Sequence, residues 1–219
     1  MPPFVKICAL VLAGGLSRRM GGGDKPLLPL AGRPMLDHIL ARLAPQTAAI
    51  AISAGGDPAR FAPRPHPVLP DSIPDFPGPL AGVLAGLDWM AEAHPDTRWL
   101  LTIPGDTPFP PPDLAARLTQ AREAARTPIA CAVTDHADGS TRRHPVTALW
   151  SVELREPLRA AILRGEARVG RWAGEQGCAE AHWPDTPLDP FLNVNTPEDL
   201  ARAKALSPAY CRDNPGTTR

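Results

Sequence analysis

The sequence predicts an α/β chain in three layers: a doubly wound, mostly parallel sheet between helices. Three observations lead there. Short apolar runs alternate with amphipathic segments of helical period along most of the chain. The first apolar run opens directly into a glycine-rich loop, Gly14-Gly15-Leu16-Ser17-Arg18-Arg19-Met20-Gly21-Gly22-Gly23, at the place where such sheets bind ligands. No internal repeat or composition break divides the chain, so residues 1–206 read as a single domain and residues 207–219 as a polar, disordered tail.

Residues 5–13 are apolar and read as the first, buried strand. Residues 34–43 read as a helix, with Met35, Leu36, Ile39, Leu40 and Leu43 on one face and Pro34 at its start. A second strand is expected at 48–53. Residues 54–79 are rich in Pro, Gly and Asp, a connection long enough to carry function. Then come a helix at 79–93, a strand at 99–103, an amphipathic helix at 111–126 and strands at 129–133 and 146–150. Helices follow near 153–163 and 169–175, and a short strand at 191–194. Thr196 caps a last helix over 197–206, with Glu198 and Asp199 in its first turn.

Composition narrows the function. The 219 residues are 43% hydrophobic, enough for a sizeable core, and 23 basic residues balance 23 acidic ones. A neutral chain offers no general attraction for nucleic acid or an anionic membrane. No apolar stretch reaches the roughly 18 residues of a membrane span, and no charged leader precedes the first strand, so a cytoplasmic protein is expected. Cys8, Cys131, Cys178 and Cys211 lack metal spacing, and Cys8 and Cys131 read as buried thiols. Lysines number only three, Lys6, Lys25 and Lys204. Lys25 therefore stands out where single arginines do not.

A backbone without Cβ atoms can approach an anion and aim its N–H groups at it. Arg18, Arg19 and Lys25 can neutralise that anion, so the loop points to a polyphosphate and hence a nucleotide. Pro26 follows Lys25, so the hydroxyl of a P-loop is missing. The Gly-x-Gly-x-x-Gly fingerprint is missing too. Taken whole, Leu12-Ala13-Gly14-Gly15, Arg19-Met20-Gly21 and Asp24-Lys25 resemble the signature loop of the molybdenum cofactor guanylyltransferases, members of the nucleotidyltransferase superfamily. The Gly14-Gly15 and Asp24-Lys25 pairs point to the guanylyl branch, since cytidylyl relatives more often begin Leu-Ala-Ala-Gly. The resemblance implies a Rossmann-like nucleotidyltransferase fold.

Further segments carry the resemblance on, in the family's order. Asp106 follows the apolar run 100–103, as a carboxylate at a strand exit beside a phosphate loop, and is expected to hold Mg2+ with phosphate oxygens. The alternative is turn chemistry. The family's Pro-Cys-Asp-x-Pro reads Pro104-Gly105-Asp106-Thr107-Pro108 here. Asp71, ahead of Gly78-Pro79-Leu80-Ala81-Gly82, is an acceptor suited to the guanine edge or to the ribose. Ser53 stands where the family often has an Asn base contact. Arg142-Arg143-His144 and Phe191-Leu192-Asn193-Val194-Asn195 are similar to segments near the second substrate, a pterin phosphate. Asn195 stands where many superfamily members have a second metal carboxylate.

The resemblance implies transfer of GMP from GTP to the terminal phosphate of molybdopterin, with or without molybdenum, releasing pyrophosphate. Lys25, Arg19 and Asp106 are the expected catalytic residues. Leu12, Ala13, Gly14, Gly15, Lys25, Ser53, Asp71 and Asp106 would bind the nucleotide, and Arg143, His144, Asn193 and Asn195 the acceptor. Other cofactor-biosynthesis proteins and molybdoenzyme chaperones are further expected partners. The alternatives are a CTP-using or sugar-phosphate nucleotidyltransferase, or a non-catalytic nucleotide-binding protein of cofactor delivery.

Overall fold

The computed structural model describes residues 6–14, 24–73, 78–186 and 188–212. Gly15 and Arg19, and with them most of the glycine loop, lie outside the described residues. The elements are β1 (Ile7–Leu12), β2 (Pro29–Leu30), β3 (Arg33–Pro34), α1 (Met35–Leu43), β4 (Ala49–Ser53), β5 (Val68–Leu69), α2 (Pro79–Ala93) and β6 (Trp99–Pro104). They continue with α3 (Leu114–Ala125), β7 (Ile129–Asp135), β8 (Thr141–Ser151), α4 (Arg155–Leu163), α5 (Val169–Gln176), β9 (Cys178–Pro184) and α6 (Pro197–Arg212).

Seven strands form one sheet in the order β5-β4-β1-β6-β8-β7-β9. The pairs β4–β5, β1–β4, β1–β6 and β7–β9 are parallel, while β8 runs antiparallel to both of its neighbours. The sheet is therefore mixed and mostly parallel. Alternation along β1 builds the three layers. Ile7, Ala9 and Val11 face a core made with Leu36, Ile39 and Leu43 of α1 and Leu114 and Leu118 of α3. Cys8 and Leu10 face the opposite core, made with Leu80, Val83, Leu84 and Leu87 of α2, Leu158 and Ile162 of α4 and Trp172 of α5. Each fully buried side chain of this size contributes roughly 1.5–3 kcal/mol.

Two glycines set how closely α2 lies on the sheet. A Cβ at Gly82 would come 2.6 Å from Leu12 Cδ2 and 2.8 Å from Ser53 Oγ, and one at Gly86 would come 2.7 Å from Leu10 Cδ2. Opposite α4 and α5, the buried indole of Trp150 donates to Thr102 Oγ1 at 2.8 Å, and that hydroxyl donates to the Val146 carbonyl at 2.7 Å. Cys8 and Cys131 are buried free thiols and Cys178 is a half-buried one.

The C-terminal third departs from expectation. Residues 191–194 form no strand; they run as an extended strap that packs Leu192 and Val194 into a third, smaller core with Leu30, Met35, Phe109 and Ala203. The missing strand is β9, whose Ala181 and Trp183 turn inward while Glu180 and His182 turn outward. Polar Arg142 and Arg143 belong to β8, which begins at Thr141 rather than at 146 because Asp135↔Thr141 through Ala132↔His144 continue the ladder with β7. The last helix runs on to Arg212, past the expected end at 206, and Ser207 is buried. The hairpin β2–β3 was not foreseen. Its two-residue turn puts Ala31 at φ 47° and Gly32 at φ 83°, the doubly positive geometry that closes tight hairpins.

Candidate active site

The parallel strands β4, β1 and β6 end side by side, and the site is built on their carboxyl ends. Backbone bonds lock these ends together: Ala13 N–H donates to the Ser53 carbonyl at 2.8 Å, and Gly105 N–H to the Leu12 carbonyl at 2.9 Å. Gly105 sits so close to β1 that a Cβ there would meet Pro26 Cγ at 2.8 Å and the Leu12 carbonyl oxygen at 3.2 Å. The Cys common in the family would therefore need a shifted loop here. Gly14 is the opposite case. A Cβ on it would meet nothing within 4 Å among the described residues.

Lys25 returns from the glycine loop in a short 3-10 turn, Lys25–Leu27, with Pro26 in its first turn. Its ammonium donates to Asp106 Oδ2 at 2.8 Å and to Asn195 Oδ1 at 2.5 Å. Lys25 is only 14% exposed and Asp106 23%. Two residues from distant parts of the chain, Asp106 and Asn195, thus converge on the Lys25 cation. The 191–196 strap is laced over the same strand exit: Val194 N–H donates to the Asp106 carbonyl at 2.9 Å, and Thr107 Oγ1 donates to Asn193 Oδ1 at 2.8 Å.

Ahead of Lys25, the Asp24 carboxylate pairs with Arg60 Nε at 2.8 Å, and the same guanidinium donates to the Gly55 carbonyl at 2.5 Å. Arg60 thus ties Asp24 to the connection after β4. Sequence reasoning passed over it because arginine is abundant in this chain; its only signal is its position three residues after Asp57, which caps the turn Pro58–Phe61.

Ser53 ends β4, buried, with its hydroxyl beside Gly82 of α2. Asp71 lies just past β5 on the exposed rim, and desolvation by its neighbours raises its carboxyl pKa. Gly78, at φ 128°, precedes Pro79 at the start of α2 on this same edge.

Arg143, His144 and Asn193 line one cleft of about 190 Å³, together with Pro104, Arg142 and Thr147. Arg143 is half exposed and pairs with Glu180 at 2.5 Å. His144 is a different kind of residue. Its Nε2 meets Thr134 Oγ1 at 2.8 Å, its ring packs against Phe191, and only 8% of it is exposed. Desolvation, reinforced by the neighbouring Arg142 charge, lowers its pKa to about 4, so the ring is neutral and committed inward. Asn195 stands apart from this cleft, on the Lys25 side of the strap.

Among the described residues no group of three or more His, Cys, Asp or Glu side chains could hold a metal. Asp106 offers one carboxylate. A single carboxylate suits Mg2+ that takes its other ligands from phosphate and water; it does not suit a metal held by protein alone. Among the described residues no helix is long and apolar enough to cross a membrane.

Comparison with known proteins gives the family. Residues 9–179 match the family model of the MobA-like NTP transferase domain. The chain is 50% identical over 200 residues to the molybdenum cofactor guanylyltransferase of Rhodopseudomonas palustris (strain BisB5), covering 91% of this chain and 93% of that one. It is likewise 50% identical over 202 residues to the protein of that name from Cereibacter sphaeroides, covering 92% and 97%. Among solved structures it resembles molybdopterin-guanine dinucleotide biosynthesis protein A from Archaeoglobus fulgidus, with a TM-score of 0.70 at 21% identity over 92% of this chain and 99% of that one. CMP:2-keto-3-deoxy-manno-octonic acid synthetase complexed with CTP superposes with a TM-score of 0.67 at 16% identity, covering 93% and 99%. These two likenesses concern the fold alone.

Proposed function

The chain belongs to the MobA-like NTP transferase family, and from that premise we propose that it is a molybdenum cofactor guanylyltransferase. It moves GMP from GTP to the terminal phosphate of molybdopterin. A phosphate oxygen of the acceptor bonds to the α-phosphorus, and the bond from that phosphorus to the oxygen bridging to the β-phosphate breaks. Pyrophosphate leaves with that electron pair. The acceptor oxygen is already anionic, so no strong base is required, and catalysis reduces to alignment and charge neutralisation.

The observation that carries this reading is the Lys25–Asp106 pair at the exits of β1 and β6. A cation and a carboxylate within hydrogen-bond reach, beside a glycine loop, are what a polyphosphate and its divalent counter-ion need. Lys25 would turn from Asp106 to the phosphates and stabilise charge on the leaving pyrophosphate, with Arg19 assisting. Asp106 would hold Mg2+, which when bound neutralises phosphate charge. Leu12, Ala13, Gly14 and Gly15 would admit the nucleotide against the backbone, Asp71 would accept from guanine or ribose, and Ser53 would support that wall. Arg143 and Asn193 would face the acceptor, with His144 holding the floor of their cleft, and Asn195 would meet it from the Lys25 side of the strap. A cytoplasmic setting, with further cofactor-assembly proteins and molybdoenzyme chaperones as partners, accompanies this reading.

The test is pyrophosphate release with molybdopterin, Mg2+ and each nucleoside triphosphate in turn. GTP should support it and CTP and ATP should not. A preference for CTP would reject the guanylyl assignment, and no release with any triphosphate would favour a binding role in cofactor delivery.

A further inference from the structure

We propose that Asp199, on the first turn of α6, is a positioning residue that fixes Lys25 through Asn195; the inference rests on the functional reading above. One carboxylate oxygen of Asp199, Oδ2, accepts from the backbone N–H of Asn195 at 2.9 Å and from that of Thr196 at 3.0 Å. In return, Asp199 N–H donates to Thr196 Oγ1 at 3.2 Å. Reciprocal bonds between Thr196 and the residue three further on are those of a helix cap. The bond to Asn195 N–H is additional to that cap. It reaches one residue beyond the cap, to the very residue whose side chain accepts from Lys25 at 2.5 Å.

The chain of contacts is therefore Asp199 carboxylate, Asn195 backbone, Asn195 amide, Lys25 ammonium, Asp106 carboxylate. Each link is short, and of these residues only Asp199 lies on an α-helix or strand. Asn195 itself is exposed and sits on the irregular strap, where nothing in a helix or sheet ladder orients it. The strap is pinned before it by Val194 N–H on the Asp106 carbonyl and after it by Asp199. Bonds from these N–H groups, with the nearby Lys25 charge, lower the Asp199 carboxyl pKa, so it is ionised at neutral pH. A fixed acceptor for Lys25 that is not Asp106 leaves the lysine a place to pivot when it turns to the phosphates. Loss of the pivot misplaces the cation, and small misplacements of catalytic groups are costly in rate.

The experiment compares Asp199→Ala, Thr196→Ala and Asp199→Asn. Thr196→Ala removes the acceptor of the cap but keeps both bonds of the Asp199 carboxylate. Asp199→Asn keeps an oxygen able to accept them. The first readout is hydrogen exchange of the Lys25 ammonium in the ligand-free protein by nitrogen-detected NMR. Three lysines make that spectrum simple, and Lys25→Arg assigns the signal. The second is kcat and KM for pyrophosphate release. Asp199→Ala should speed Lys25 exchange and lower kcat by on the order of tenfold with KM for GTP little changed. Thr196→Ala should lose stability but neither property, and Asp199→Asn should recover most of both.

Adding Asp199→Ala to Asn195→Ala should change Lys25 exchange no further. Equal losses in Asp199→Ala and Thr196→Ala, or unaltered Lys25 exchange in Asp199→Ala, would overturn the proposal and leave Asp199 a helix cap. Should Asp199→Ala fail to fold, Asp199→Ser, one bond shorter and unable to hold both N–H groups, carries the same exchange test, and unaltered Lys25 exchange in it would overturn the proposal. A wild-type protein that releases no pyrophosphate yet shows the predicted exchange pattern would sink the guanylyl reading while upholding the coupling.

Discussion

Acidification should weaken this fold through His144 in particular. In the folded chain its pKa falls to about 4 from an ordinary 6.5, because the ring is buried against Phe191 and beside Arg142. The unfolded chain therefore binds a proton that the folded chain refuses. Stability from this group is complete above about pH 6.5 and is lost as pH falls towards 4. At about 1.36 kcal/mol per pKa unit the whole effect is about 3 kcal/mol, and about 2 kcal/mol is already gone at about pH 5. The assay is urea unfolding at about pH 7 and about pH 5 for the wild type and for His144→Gln. Gln can still bond to Thr134 but does not titrate. Other carboxylates contribute equally to both proteins, so the wild type should lose about 2 kcal/mol more than the variant between the two pH values. Equal losses would refute the reasoning and place the imidazole in contact with water.

Other substitutions probe the site and the packing around it. Asp106→Ala should abolish turnover while leaving the unfolding midpoint nearly unchanged; near-normal pyrophosphate release would remove Asp106 from the chemistry. Lys25→Ala should lower the rate even at saturating GTP, and an unchanged rate would make Lys25 structural. Thr102→Val strands the buried Trp150 N–H and should cost about 2 kcal/mol in chemical denaturation; a neutral result would mean that water reaches the indole. Gly82→Ala gains about 1 kcal/mol of helix propensity. The new methyl nevertheless collides with Leu12 and Ser53, so a net loss of about 1 to 2 kcal/mol is expected. A raised melting temperature would show that α2 does not need its close seat.

The nucleotide half was legible because its signals are local. The apolar run of β1, the glycines after it, Lys25 and the carboxylate ending β6 each announce themselves within a few residues. Ser53 was placed at the end of its strand, where it stands; Asp71 was placed in the long connection, which also holds the short β5 just before it, whereas Asn195 was placed at the end of a strand that is instead the strap. The C-terminal third was harder. β9 reads Cys-Ala-Glu-Ala-His-Trp-Pro, in which two Ala, a Glu and a Pro disfavour a strand, and it pairs with β7, whose parallel edge lies far away in sequence. Residues 191–194 have a strand's alternation yet spend it on the strap and the third core. Arg142 and Arg143 looked like loop because their strand runs beyond the buried part of the sheet. Arg60 and Asp199 act through contacts across long sequence gaps or by reaching back from a helix, which composition and period do not reveal.

The place of β8 has a consequence for the chain as it is made. β8 follows β7 in sequence but lies between β7 and β6, so β7 cannot join the sheet until β8 has arrived. Until then Leu100, Leu101 and Thr102 present an open apolar edge, the kind that recruits other chains. A nascent chain halted before Thr141 would carry β5, β4, β1 and β6 without their seal. A fragment of residues 1–140 should therefore aggregate where the whole chain does not, and light scattering at equal concentration would show it; a monodisperse fragment would mean that the edge is covered some other way. The two halves of the sheet cannot be parted by cutting the polypeptide between β7 and β8, because β8 seals the edge of β6 and also carries β7 and, through it, β9.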